Sequence, residues 1–465
     1  MTKTELLAEN ENLKVRIVEL EAALKEALAQ LEANERAGKR QAAPFSRGDK
    51  KQHPKPPGRK KGHKPAHRAK PAKIDRHLDA YLKQSSCLHC GGLLTEPCFQ
   101  HQYQIDIPPV EPIVTQFNIE VAHCIQCGRQ AQGRHPEQTS DGLGPTAVHF
   151  GPRVQGLAAE MKHALGIPYR KVCRVLAQGF GFEASPGALA RAGQRLALKA
   201  EPTYDHLLFS LRQQEVVCAD ETGWNINGDK AWLWVFTSEQ VTLYVIDPRR
   251  AAEVAERILG RDFDGVLTCD CLLSYNPLPY RQQKCLAHLL RRCSDIADQP
   301  RPPEAISISQ QVARLLRAAI KLKHQKELHP PWLYQQACSR LELALDRLLD
   351  RTAEPEDDAA RRLLKLLSKQ RHRLFTFLYL NPVQPTNNAA ERAIRPAVIV
   401  RKTSAGNRSD AGAKTHAIIT SLWQTCQQQG LDFQTVVSEL LRQPFPLAFS
   451  LLPTNPHSLP ADPLT

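Results

Sequence analysis

The sequence predicts a multidomain α/β protein, and three observations carry that expectation. At 465 residues the chain is too long for one hydrophobic core. Its middle holds short runs of β-branched and aromatic residues closed by turn residues, "EVVCADETGW", "AWLWVFTSEQVTLYVID" and "GVLTCD". Helical periodicity flanks those runs, and the first third breaks into stretches of sharply different composition. The hydrophobic share of 42% is ordinary for a globular protein, no apolar run approaches the ~18 residues of a membrane span, and the N-terminus is acidic and polar. A soluble cytoplasmic protein without membrane contact is expected.

In chain order, residues 1–38 place Leu6, Leu13, Leu20 and Ala27 at one heptad position and Asn10, Ile17, Leu24 and Leu31 at the other. A 3.5-residue repeat with charged flanks suits a coiled-coil partner helix, hence a homodimer or higher oligomer, with Asn10 fixing register. The plainer alternative is an amphipathic helix docked on its own domain. Residues 39–76 form a basic arm rich in Pro and Gly. Between Lys39 and Lys73 there are 13 Lys and Arg against one acid, Asp49, so this stretch carries +12 of the formal net charge of +14. The plain reading of such an arm is a solubilising linker; the sharper one is that it binds a polyanion through its backbone phosphates, in which case binding should weaken steeply with salt. Arg59, Lys60, Lys61 and Lys64 in "PGRKKGHK" are the candidate double-stranded DNA contacts.

Residues 77–150 contain "CLHC" (Cys87, Cys90) and "CIQC" (Cys124, Cys127), each followed by glycine. Two such turns facing one another supply four thiolates for a structural Zn²⁺; a redox role is the alternative, for which two matched pairs are one more than needed. The odd total of 13 cysteines without a secretory signal argues against a disulfide scaffold. Within residues 151–205, "GIPYRKVCRVLAQGFGFEASPGALARAGQRL" reads helix, Gly-rich turn, helix, with Ser185 and Pro186 as N-cap and first helical residue. A helix-turn-helix DNA reader and an ordinary helical packing module both fit.

The chemistry concentrates further on. The apolar run Val216–Ala219 ends on Asp220 and "GVLTCD" ends on Asp270. If those strands neighbour one another in one sheet, two carboxylates share a space, and they repel unless a divalent cation neutralises them. A third acid, Glu391, stands among Arg392, Arg395, Arg401 and Lys402 in "PTNNAAERAIRPAVIVRKTSAG". A plain reading makes Asn388 a helix N-cap and Glu391 its capping-box partner. Glu221, beside Asp220, falls on the opposite strand face and reads as structural. Cys285 and His288 have CxxH spacing and read as core residues supporting the site, with metal ligation as the alternative. Trp224, Trp232 and Trp234 are read as core, with base stacking as the alternative.

Taken together, "ADETGW", "TCDCLLSYN", "KCLAHLLRR" and "PTNNAAERAIRPAVIVRKTSAGNRSDAGA", behind a zipper helix, a basic arm and a CxxC…CxxC pattern, resemble the insertion-sequence-66 family of bacterial transposases. The resemblance runs from the start of the chain to about Gly430, and its carboxy-terminal motif is highly specific. It implies a ribonuclease-H-like core, a mixed sheet with flanking helices, and a catalytic triad of Asp220, Asp270 and Glu391 holding Mg²⁺ or Mn²⁺. Arg395, Arg401 and Lys402 would approach DNA phosphates, with Cys285, His288 and Asn388 supporting the ligands. On this reading residues 206–300 and 381–442 are the two parts of the core, 301–380 a helical insertion, and 443–465 a flexible Pro-rich tail. Where family members often follow the second acid with Gly or Arg and then an aromatic, this chain has Cys271 and Leu272. The function implied is cleavage at an element's ends and strand transfer into target DNA, in a nucleoid-associated bacterial protein working with helper proteins of the same element. A non-catalytic zinc-containing DNA-binding regulator and a structure-selective nuclease are the competing expectations.

Overall fold

A computed structural model describes residues 68–350 and 354–452, together with Lys14 and Arg16, which are helical. The heptad seam, the arm contacts Arg59, Lys60, Lys61 and Lys64, and most of the tail lie outside the described residues. The chain divides into two units, Met1–Val110 and Glu111–Thr465, so the segment 77–150 is shared between them.

The described part of the first unit holds little regular structure. A turn at Cys87 is closed by the Gly91 N–H donating to Cys87 O and the Cys87 N–H donating to Gly92 O, both 2.8 Å. Gly91 sits at φ +73°, which only glycine adopts readily. The Tyr81 ring meets Phe99 edge-on.

The second unit opens with a hairpin, β1 (Val121–His123) and β2 (Gln130–Gln132), around the matching turn at Cys124. Its body is a five-stranded mixed sheet built from β3 (Val216–Ile226), β4 (Asp229–Thr237), β5 (Thr242–Asp247), β6 (Val266–Cys269) and β7 (Arg281–Lys284), ordered β5-β4-β3-β6-β7. β3, β4 and β5 form an antiparallel meander, and β6 and β7 run parallel to β3. Asn227 and Gly228, both at positive φ, make the two-residue turn between β3 and β4, as an Asn-Gly pair between strand runs requires. The break between β4 and β5 falls at the expected Ser238–Gln240.

Strand alternation sorts β3 onto two faces. Val217 and Ala219 pack with α3 (Pro186–Arg212), α4 (Ala252–Leu259), α11 (Asp410–Gln429) and α12 (Phe433–Arg442). Cys218 and Trp224 pack on the other face against α10 (Asn388–Ser404). That face of α10 is Ala390, Ala393, Ile394, Ala397 and Val400, a helical spacing whose three alanines let the helix lie close to the sheet. Trp224 and Trp234 are fully buried, and Trp232 lies under the Arg250 guanidinium, so these rings serve packing.

Ahead of the sheet come α1 (Pro152–Ala159), which continues as a π-helical turn through Ala164, and α2 (Tyr169–Phe180), ended by Gly181 in the left-handed region. α3 starts as expected: the Ser185 hydroxyl accepts the Ala188 N–H, with Pro186 as the first helical residue. It then runs 27 residues into the main core, so the expected boundary at residue 205 falls inside a helix. A second core is made by α5 (Leu286–Ala297), α6 (Pro303–His324), α7 (Pro331–Leu349), α8 (Asp358–Lys369) and α9 (Thr376–Tyr379), a succession of helices among the described residues that begins at Leu286. Among the described residues no helix is long and apolar enough to cross a membrane.

The loop after α10 is pinned to β3. Asn407 N–H donates to Asn225 O at 2.9 Å, Asn227 N–H to Asn407 O at 2.8 Å, and Trp224 Nε1 to Asn407 Oδ1 at 2.9 Å. Gly406 makes this possible, since at φ +115° a Cβ would stand 2.2 Å from the Asn225 carbonyl oxygen. Gly406→Ala should therefore destabilise the protein by about 1–3 kcal/mol, read as a lower urea midpoint with unchanged slope.

Candidate active site

Asp220 is the fifth residue of an eleven-residue strand, not its end as the sequence suggested. What ends there is a pairing: the β3–β6 ladder stops at Cys218↔Thr268, while β3 continues with β4 alone. Asp220 and Asp270 each lie two residues beyond that last pair. Parallel strands are about 4.8 Å apart and side chains repeat every second residue, so the register carries both aspartates to the same face, the one covered by α10. Glu391 enters from the first turn of α10. The three acids are near enough to act on one another. Burial, then Glu221, Asp270 and Glu391 raise the Asp220 carboxyl to about 7, although the Glu221 N–H donated to its Oδ1 at 2.9 Å works the other way. Asp270 Oδ1 accepts the Leu272 N–H at 2.8 Å, which orients that carboxylate despite the unusual Cys271-Leu272 sequence after it.

Glu221 lies on the opposite face, as strand alternation required. Its Oε1 accepts both Nε (3.0 Å) and NH2 (2.7 Å) of Arg250, and its Oε2 accepts the Tyr275 hydroxyl at 2.6 Å. A buried acid so paired is a structural brace.

The start of α10 differs from the capping-box reading. The N-cap position belongs to Asn387, no side chain caps the helix, and Asn388 is exposed. The buried Asn387 does the supporting work assigned to Asn388: its Nδ2 donates to Ala219 O at 2.8 Å, and its backbone N–H donates to Cys285 Sγ at 3.2 Å. Burial alone would raise the Cys285 thiol, but the His288 imidazole and the Asn387 N–H outweigh it and hold the thiol below its usual range. His288 is correspondingly raised, chiefly by Cys285 and further by Glu391, whose Oε1 is 3.7 Å from His288 Nδ1.

With this geometry in place, the comparison with known proteins is decisive for the family: the model described as "Transposase IS66 family" matches residues 147–415, more than half of the chain. The chain belongs to the IS66 family of transposases. All three acids fall inside the match. Two relatives from Sinorhizobium fredii (strain NBRC 101917 / NGR234) are the uncharacterized proteins y4qI and y4jD. The first is 26% identical over 309 residues, 60% of this chain and 57% of y4qI. The second is 25% identical over 412 residues, 80% of this chain and 78% of y4jD. The chain thus covers less than two thirds of y4qI.

Other residues of this transposase-family chain take varied places. Arg395 and Lys402 are exposed on α10. Arg401, expected at phosphates, instead turns its NH1 to Thr222 Oγ1 (2.5 Å) and Gly223 O (3.0 Å), tying α10 to β3. All thirteen cysteines are free thiols. In the first unit backbone N–H groups of Cys90 and His89 lower the Cys87 thiol, and in the second those of Cys127 and Gln126 lower Cys124, so each turn favours a thiolate. Sequence reasoning missed Asn387, Arg250, Tyr275 and the fully buried Lys284, whose Nζ donates to Cys269 Sγ at 3.3 Å. Only Asn387 had a signal, its place beside Asn388 in "TNN".

The raised Asp220 carboxyl has a consequence for stability. Its unfolded value is the ordinary 3.8 and its folded value about 7, so between those pH values the folded state keeps a proton that the unfolded state loses. Stability is therefore fully present below the lower value and falls as pH rises through the upper one. Without divalent cations, Asp220→Asn should melt at a higher temperature than the parent at pH 8, and the two should converge near pH 4. A pH series of melts in chelator checks this.

Proposed function

We propose that this protein is a DDE transposase with a ribonuclease-H-like core, binding element ends and target DNA and catalysing divalent-cation-dependent cleavage and strand transfer. What supports the proposal is that Asp270, just after β6, and Glu391, in the first turn of α10, lie near enough to Asp220 on β3 to raise its carboxyl, within a family of transposases. A regulator has no use for a costly acidic cluster of this kind.

The donors suit Mg²⁺ or Mn²⁺: they are carboxylate oxygens, Asp220 lies near both other acids, and Glu391 Oε1 is buried and lacks a hydrogen-bond partner. When bound, such ions polarise the scissile phosphate and offset charge on the attacking and leaving oxygens. Asp220, Asp270 and Glu391 hold them, and Asp220 gives up its proton as it does so. Asn387 fixes the first turn of α10 to β3 at Ala219, which sets Glu391 against Asp220. Arg401 fixes the same helix further along, and the exposed Arg395 and Lys402 take the phosphates. The Glu221–Arg250–Tyr275 group keeps β3 in place from the opposite face.

On the same reading the basic arm, with Arg59, Lys60, Lys61 and Lys64, supplies salt-dependent DNA affinity. Each CxxC turn, Cys87 with Cys90 and Cys124 with Cys127, offers a pair of thiolates suited to Zn²⁺. The N-terminal heptads pair protomers.

Asp220→Asn should lower Mg²⁺-dependent cleavage of a labelled element-end duplex by at least about a thousandfold while changing DNA affinity less than twofold. Cleavage at the parental rate would remove Asp220 from the mechanism. Joining of the cut end to a target plasmid separates a transposase from a nuclease that only cuts.

A further inference from the structure

One group of side chains beside the acidic cluster is not explained by Mg²⁺ chemistry. Cys285, His288 and Glu391 each present a donor atom, and all three atoms lie within 4.8 Å of one another. His288 Nδ1 and Glu391 Oε1, 3.7 Å apart, are both buried and lack a hydrogen-bond partner. Backbone contacts hold the donors where they are. Cys285 N–H donates to Cys269 O at 2.8 Å and Leu286 N–H to Pro385 O at 2.9 Å, joining the start of α5 to β6 and to the segment entering α10. Cys285 and His288 are three residues apart at the start of α5, so they lie on one side of it.

Sulfur, imidazole nitrogen and one carboxylate oxygen form a donor set that Mg²⁺ avoids and Zn²⁺ prefers. Donor atoms around a tetrahedral zinc lie about 3.3–3.6 Å apart, given metal–ligand distances of about 2.0–2.3 Å. The observed cluster is therefore within about an ångström of the required spacing. The His288 and Glu391 side chains are about one-third exposed (34% and 35%), so the buried donor atoms lie close beneath the surface. A nucleophilic cysteine is a poorer use of the same residues, because Cys285 is fully buried.

We propose that Cys285, His288 and Glu391 form a three-ligand Zn²⁺ site that shares Glu391 with the acidic cluster, so that zinc bound there withdraws Glu391 from magnesium. Binding releases the Cys285 thiol proton to solvent. The site stands on its own geometry; the inhibitory consequence rests on the proposed transposase reaction.

The full chain is stripped with chelator and reloaded with Zn²⁺, and bound metal is counted per chain alongside circular dichroism. The parent should retain one Zn²⁺ more than either Cys285→Ser or His288→Asn, and Asp220→Asn should match the parent. With Co²⁺ as probe, the thiolate-to-metal charge-transfer band should weaken in Cys285→Ser. Any metal on the CxxC turns is common to all variants and cancels. Folded Cys285→Ser and His288→Asn proteins with the parental metal count would overturn the site. Should Cys285→Ser fail to fold, His288→Asn carries the test, since its side chain is partly exposed. The count needs no DNA, so failure here is distinguishable from failure of Asp220→Asn to abolish cleavage.

Discussion

The burial of Asp220 in the company of other acids is the constraint on which the rest of this structure depends. Asp220 and Asp270 share a face because the β3–β6 ladder stops two residues short of both. Burial, and after it the charges of Glu221, Asp270 and Glu391, make Asp220 hold its proton to about pH 7. Folding has to outweigh this cost with burial elsewhere, and the two faces of the sheet provide it.

Glu391 belongs to a different element, so its approach depends on how α10 lies on the sheet. Small residues bring the helix close, while Asn387, Arg401 and the Asn407 loop tie its start, its last turn and its exit to β3. These ties run to Ala219, Gly223 and Asn225, which bracket Asp220 along one strand. A shift of α10 would therefore strain several contacts at once, which holds the acidic site to one geometry.

Hard and soft donors meet at Glu391. On one side lie the aspartates, which offer only oxygen; on the other lie Cys285 and His288, which offer sulfur and nitrogen. The same carboxylate thus borders two chemically different sets of donor atoms. The buried Glu221 belongs to neither, because Arg250 and Tyr275 already satisfy it.

Much of this was legible in local sequence. The β4–β5 break, Ser185 as a helix cap and the opposite face of Glu221 follow from strand period and turn chemistry, which act over a few residues. Asn388 was misread for the same reason: capping-box spacing is a local rule, whereas the working residue, Asn387, is set by a carbonyl 168 positions away. Arg401 looked like a phosphate ligand because its charge is local, and its partner on β3 is not. The sequence by itself determined which groups could carry a negative cluster and which segments would be strand or helix. Only the tertiary structure decided that β3 outruns β6 beside Asp220, that α10 delivers Glu391 there, and that Cys285 and His288 meet it, because those depend on register and packing between distant segments.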